Sequence, residues 1–316
     1  MTQTMPPAVA VMGAGAVGCY YGGMLALAGV RVTLIGRPAH VDAVQRNGLV
    51  IERAQRRDVV RVHATVDLHA VSAADVVLVC VKSPDTVATA AAMKPHLRAG
   101  SVVVSLQNGV ENAQWIGEVI DQVVLAAVVW VGAYMEGPGI VRHTGRGDLE
   151  LGITRGCATR PHAATRAQEI AALFEHAGVK CPVAGDIESA LWFKLIVNCA
   201  FNAVSALGRA RYGRMAREPA IRELMEAAVR EALAVARASG VALDEQGTVA
   251  SVWRTAEALS SQYSSTAQDI LRGKPTEVDM LNGYVARRAD ALGVSAPVNR
   301  ALYALVKLRE AGDDFV

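Results

Sequence analysis

The sequence predicts an α/β domain built on a mostly parallel sheet, followed by an all-α domain. Three observations predict it. Short apolar strands alternate with helical stretches through the first half of the chain. Helical periodicity fills the second half. A glycine-rich turn joins the first strand to the first helix. The length of 316 residues suits two domains, each large enough to bury a core.

The first strand, residues 8–12, is short and apolar. It runs into Gly13, Ala14, Gly15, Ala16, Val17 and Gly18, a GxGxxG pattern, and then into an apolar helix that Gly29 is placed to terminate. Each glycine has a physical task. Gly13 permits the tight turn, Gly15 lets the backbone approach a pyrophosphate, and Gly18 lets helix and strand pack closely. The helix N-terminus then faces the phosphates. With a strand before it and a helix after it, the motif marks a dinucleotide cradle of the Rossmann type. The bland alternative is a tight βα turn.

The next strand covers residues 30–37. A carboxylate usually stands at its end to hold a free ribose 2′-hydroxyl, but here Gly36 stands there and Arg37 follows. A guanidinium suits a 2′-phosphate, so NADP(H) is the expected cofactor. The alternative is a solvated loop arginine. Two further strands, residues 76–81 and 102–106, end at Lys82 and at Gln107, Asn108 and Gly109. Ligands of open parallel sheets sit beyond these carboxyl ends, so Lys82 and Asn108 join the cofactor-binding candidates. After Gln122, two longer strands meet at a Pro138–Gly139 turn, an amphipathic helix ends at Gly178, and residues 179–185 read as a last short strand. His143 is expected to be a strand residue, since no carboxylate is placed to orient it as a base. The domain boundary falls near Gly185, giving domains 1–185 and 186–316.

The second half opens on a helix with Asp186 at its N-cap and Glu188 in its first turn. That helix carries WFKLIVNCAFN, in which Lys194, Asn198 and Asn202 recur every four residues and share one face. One lysine and two amides therefore form a polar ridge on an otherwise apolar helix. The next long helix runs from Pro219 to a stop at Gly240, with apolar residues at core spacing. A loop-rich stretch holds Ser264, Ser265, Asp269 and Glu277, with Glu277 at a helix start, and the last two segments read as helices.

Other functions are disfavoured by composition. A net charge of +2 without long runs of one sign argues against nucleic acid or an anionic membrane as partner. The longest apolar run, residues 123–135, is too short to span a bilayer. No basic leader precedes the first strand, so a cytoplasmic protein is expected. The five cysteines are widely spaced and form no metal-ligand pattern, so neither a disulfide framework nor a metal site is expected.

Taken in order, GAGAVG, KSPDT, QNG, KLIVNCAFN and SSTAQDILRGKPTEVDMLNG resemble the ketopantoate reductase (2-dehydropantoate 2-reductase) family. The resemblance spans residues 8–284. It implies a Rossmann domain, an all-helical domain, an active site in the interdomain cleft, and NADPH-dependent reduction of a 2-keto acid in pantothenate biosynthesis. It assigns Lys194 as the catalytic lysine and Glu277 as the active-site glutamate. Asn198, Asn202 and Ser265 match substrate-holding positions, Lys82 and Asn108 cleft positions near cofactor and substrate, and Arg37 the 2′-phosphate selector. Gln262 and Thr266 depart from the family pattern, and GRARYGRM lacks an asparagine that the family can use. Those departures bear on which keto acid is reduced.

The residue chemistry agrees. Hydride addition to a ketone builds negative charge on oxygen, which a fixed cation stabilises and can protonate. A buried lysine suits this because burial lowers its pKa toward neutrality. Two alternatives stand beside ketopantoate reduction: a D-2-hydroxyacid dehydrogenase for another branched 2-keto acid, and a non-catalytic NADP(H)-binding regulator. A homodimer through the helical domain is a further expectation.

Overall fold

The computed structural model describes residues 7–312. The chain divides into two compact units, one through Ile187 and one from Glu188.

The first unit is built on a nine-stranded sheet. Its elements are β1 (Val9–Met12), α1 (Ala16–Leu27), β2 (Val32–Ile35), α2 (Pro38–Asn47), β3 (Leu49–Arg53), β4 (Arg56–Val60), β5 (His63–Thr65), β6 (Val76–Val79), α3 (Thr86–Met93), β7 (Val102–Ser105), α4 (Asn112–Val119), β8 (Val123–Gly137), β9 (Ile140–Gly152) and α5 (Ala163–His176). The strand order is β4-β3-β9-β8-β7-β6-β1-β2-β5. From β8 through β5 every neighbouring pair is parallel. The β8–β9 and β3–β4 pairs are antiparallel.

β6 and β7 read VVLV and VVVS and are buried along their whole length, as strands covered on both faces must be. Val9, Val11, Leu34, Leu78, Val104 and Leu125 meet Tyr21, Leu25 and Phe174 in one core. The chain passes from β1 to β2 on one side and returns to β6 on the other, so the sheet reverses its winding beside β1. Ligands of such sheets gather at that switch, beyond the carboxyl ends.

Two local expectations need correction. Residues 179–185 make a single bridge, Leu151 to Val183, rather than a strand. Residues 38–65 hold α2, the β3–β4 hairpin and β5. The hairpin is polar outside: Asp58 is buried but salt-bridged to Arg53 and Arg56. Its apolar residues Leu49 and Ile51 are fully buried in the core.

The second unit is helical: α6 (Ile187–Gly208), α7 (Tyr212–Met215), α8 (Pro219–Ala238), α9 (Glu245–Ala258), α10 (Ser265–Leu271), α11 (Asn282–Leu292) and α12 (Pro297–Glu310). The second correction lies here. α9 was not read from the sequence, and α10 occupies part of the stretch expected to be loop. Glu277 stands at the head of a single 3-10 turn, Val278–Met280, ahead of α11.

Among the described residues, α6 alone is long and apolar enough to cross a membrane, yet 72% of its apolar window is buried inside the structure. Its Leu195, Ile196, Val197, Cys199, Ala200, Phe201 and Ala203 are all buried. It is therefore a core helix, and its length serves the bundle.

Candidate functional site

In the first unit four loops leave the carboxyl edge of adjacent parallel strands. Met12 lies level with Ile35 on β2 and with Val79 on β6, and Val79 lies level with Ser105 on β7. The glycine loop, Gly36–Arg37, Lys82 and Asn108 thus follow one edge of the sheet.

Gly13 takes φ +103°, and a Cβ there would lie 2.7 Å from the Val81 nitrogen. A Cβ on Gly18 would lie 2.4 Å from the Gly13 carbonyl oxygen and 2.7 Å from Val11. Protein contacts therefore account for both glycines. Gly15 differs: its φ is −87° and, among the described residues, no atom lies within 4 Å of a Cβ built on it. Neither strain nor packing requires glycine there, which is the condition expected where a ligand approaches the backbone. Gly15 is also the N-cap of α1, with no side-chain cap and no acidic residue in the first turn. The first-turn N–H groups of Ala16, Val17 and Gly18 are left to an anion or to water. The donor set fits the pyrophosphate of a dinucleotide.

Gly36 has a steric reason. A Cβ there would lie 2.8 Å from the Ala14 side chain, so an acidic residue cannot occupy that position without moving the cradle. Arg37 follows, exposed, as the N-cap of α2. α2 is tied to the cradle through His40. The Gly139 N–H donates to His40 Nδ1 at 3.0 Å, which leaves the ring proton on Nε2, 3.3 Å from Cys19 Sγ. The Cys19 thiol in turn faces the Ala14 carbonyl at 3.4 Å. Burial holds the His40 pKa down and pushes the Cys19 and Cys80 thiols up, so neither thiolate chemistry nor a cationic imidazole is offered beside the cradle.

The loops that carry Lys82 and Asn108 are tied by a partly buried network. Ser83 Oγ donates to the Asn108 carbonyl at 3.0 Å, and Asn112 Nδ2 donates to the same oxygen at 2.7 Å. Gln107 Nε2 donates to the Val81 carbonyl and to Thr86 Oγ1. Lys82 is exposed and Asn108 half-buried. His143 lies on β9 with its ring stacked on Tyr20 at 4.6 Å, a packing position.

In the second unit Lys194 and Asn198 are half-buried on α6, as is Phe193, and Asn202 is buried at 3% exposure. Asn202 Nδ2 points at Ser265 Oγ at 3.5 Å. Beneath that pair, Ser264 Oγ donates to the Asn202 carbonyl and accepts from Ala267 N–H as the N-cap of α10. Ser264 N–H donates to Ser205 Oγ, which donates to the Ala210 carbonyl. Ser265 is thereby set against the ridge, while Ser264 is its support. Gln262 accepts from Tyr212 N–H through its backbone carbonyl, and Thr266 is buried in α10. Glu277 is half-buried, and its segment is pinned by Glu310, whose Oε1 accepts from Thr276 N–H at 2.7 Å. The sequence reading missed Glu310. The single N–H contact that gives it a role lies 34 positions away in the chain.

Two sequence models cover most of the chain. Ketopantoate reductase PanE/ApbA matches residues 9–156, and Ketopantoate reductase PanE/ApbA C terminal matches residues 186–310. A 2-dehydropantoate 2-reductase of Halobacterium salinarum is 35% identical over 305 residues, covering 96% of this chain and 98% of that protein. A crystal structure of a PanE/ApbA family ketopantoate reductase from Ralstonia eutropha JMP134 superposes with a TM-score of 0.88 at 49% identity, covering 96% and 98% of the two chains. A D-mandelate dehydrogenase with NADH and anilino(oxo)acetate superposes at 0.90 over 96% and 98%, but at 22% identity that likeness concerns the fold.

Proposed function

Because the chain belongs to the ketopantoate reductase family, we propose that it reduces 2-dehydropantoate to pantoate with NADPH. Members of that family are NADP-dependent oxidoreductases acting on a small keto acid. A cytoplasmic location goes with this reading.

In the assignment we favour, Gly13, Ala14, Gly15, Ala16, Val17 and Gly18 hold the pyrophosphate, and Arg37 holds the 2′-phosphate. Lys82 and Asn108 stand beyond the neighbouring strands, and Asn108 also meets the substrate. NADPH, when bound, supplies the hydride. Lys194 places its ammonium at the substrate carbonyl oxygen, stabilises the charge that develops there and donates the proton that completes the hydroxyl. Asn198 and Asn202 orient the lysine and bind substrate oxygens. Ser265 binds the carboxylate, and Glu277 hydrogen-bonds a substrate hydroxyl or positions Lys194.

The observation that carries this assignment is the ridge itself. Lys194, Asn198 and Asn202 stand on one line of a helix whose Leu195, Ile196, Val197, Cys199, Ala200, Phe201 and Ala203 are buried. A rigid helix holds such groups better than a loop does. The test follows oxidation of NADPH by its absorbance, with ketopantoate set against a panel of other 2-keto acids. Fast turnover of ketopantoate, with NADH far poorer, supports the proposal. Turnover of a different acid keeps the chemistry and moves the substrate, directing attention to Gln262 and Thr266. Silence across the panel with NADPH still bound refutes an enzyme of this class.

A further inference from the structure

Asn282 is the first residue of α11, yet its side chain does not cap that helix. It is fully buried. Its Nδ2 donates to the Cys199 carbonyl of α6 at 3.0 Å and to Asn299 Oδ1 of α12 at 3.0 Å. Asn299 Nδ2 donates onward to the Ala228 carbonyl and to Glu231 Oε2 of α8. Glu231 also accepts from the N–H groups of Val298 and Asn299, at the start of α12. Four helices are thus joined through one buried Asn–Asn–Glu chain.

The orientation of the Asn282 amide is set by its neighbours. Both groups facing Nδ2 are acceptors, and the Asn299 amide donors are already used. Turning the amide over would point its oxygen at two other oxygens. The consequence is that Asn282 Oδ1 is buried with no hydrogen-bond partner among the described residues. An orphaned buried acceptor costs stability, so the residue is a poor choice for holding a bundle together and needs another reason.

Its location supplies one. Cys199 follows Asn198 directly on α6, on the buried face beside the ridge. Asn282 lies five residues after Glu277, and only the 3-10 turn and Leu281 separate Glu277's immediate segment from α11. Tyr284 of α11 adds a ring contact with Trp192 of α6 at 5.8 Å. The hydrogen bond to the Cys199 carbonyl therefore sets the register of the Glu277 segment along the lysine helix. We propose that Asn282 is a positioning residue, which holds Glu277 in place against the Lys194–Asn198–Asn202 ridge without itself touching substrate. This rests on the assignment of Glu277 and Lys194 to the active site.

The test is a double-mutant cycle between Asn282→Leu, nearly the same size, and Glu277→Gln. Asn282→Leu removes both donor bonds and the orphaned oxygen but leaves the buried Asn299 Oδ1 without its Asn282 donor, so a lower melting temperature is expected and the kinetics are read well below it. A displacement of the Glu277 segment by about 1 Å should lower kcat by about tenfold to a hundredfold, with the NADPH Kd unchanged. In the Glu277→Gln background the same change should cost little more, because the group it positions is already disabled. A leucine variant that turns over like the parent, or losses that multiply in the double variant, would overturn the proposal. Glu277→Gln with parental turnover would remove the active-site assignment and this inference with it. Should the leucine variant not fold, Asn282→Ala, smaller and a strong helix former, is read through the same cycle.

Discussion

Two glycines of the cradle, three residues apart, should respond in opposite ways to the same methyl group. At Gly15 the methyl meets no atom of the described residues within 4 Å, and φ of −87° is open to alanine. Loss of a glycine N-cap and the lower entropy of the unfolded chain oppose one another, leaving a net change of about 1 kcal/mol or less. In a domain of this size that moves an apparent Tm by about 2–4 °C. The methyl does stand on the bare end of α1, where a phosphate must approach the N–H groups. Losing one charge-assisted hydrogen bond costs about 1.5–3 kcal/mol, or about ten- to a hundredfold in NADPH Kd. At Gly18 the methyl would lie 2.4 Å from the Gly13 carbonyl oxygen and 3.3 Å from the Cys80 side chain. That overlap should cost about 1–3 kcal/mol or more of stability. Thermal melts and fluorescence titration with NADPH separate the two. Gly15→Ala should keep the fold and lose the cofactor; Gly18→Ala should lose stability outright. Parental NADPH affinity in a folded Gly15→Ala variant would refute the placement of the pyrophosphate.

Other predictions concern Arg37 and the support of the Glu277 segment. Arg37→Ala should raise the NADPH Kd by about tenfold or more while leaving NADH binding unchanged, since only the 2′-phosphate is lost; equal loss for both cofactors would contradict the assignment. Burial alone would raise the Glu310 pKa, but hydrogen bonds from Lys307 and Thr276 outweigh it and hold the carboxyl below its usual 4.5. A depressed carboxylate stabilises the fold above its unfolded pKa and loses that contribution as pH falls through the folded one. The Tm advantage of the parent over Glu310→Gln should therefore be full at neutral pH and fade below about pH 4.5; an advantage that persists in stronger acid would contradict it.

The parts of this protein legible in its sequence are those whose meaning is local. GAGAVG between an apolar strand and an apolar helix announces a cradle, because the turn, the close packing and the helix end all follow within a few residues. The four-residue spacing of Lys194, Asn198 and Asn202 shows a shared face before any coordinates exist. What escaped reading is set by distant partners. The β3–β4 hairpin looks too charged to be sheet until Asp58 is seen paired with Arg53 and Arg56, and β3 joins the sheet through β9, nearly a hundred residues later. α9 has only Thr248, Val252 and Ala256 buried, so its apolar stripe is thin and weak. Ser265 reads as a loop hydroxyl until Ser264 is found tethered to the backbone of α6. Asn282 and Asn299 read as ordinary helix-start residues, and their connection exists only once four helices are folded together.

The central claim is that Lys194 acts on the substrate carbonyl and not on the fold or the cofactor. Lys194→Ala should be tested for turnover of ketopantoate and for NADPH binding in the same preparation. The account predicts a fall in kcat of about 10²–10⁴ with NADPH Kd unchanged. Turnover within a few-fold of the parent, in a folded and NADPH-competent variant, would contradict it.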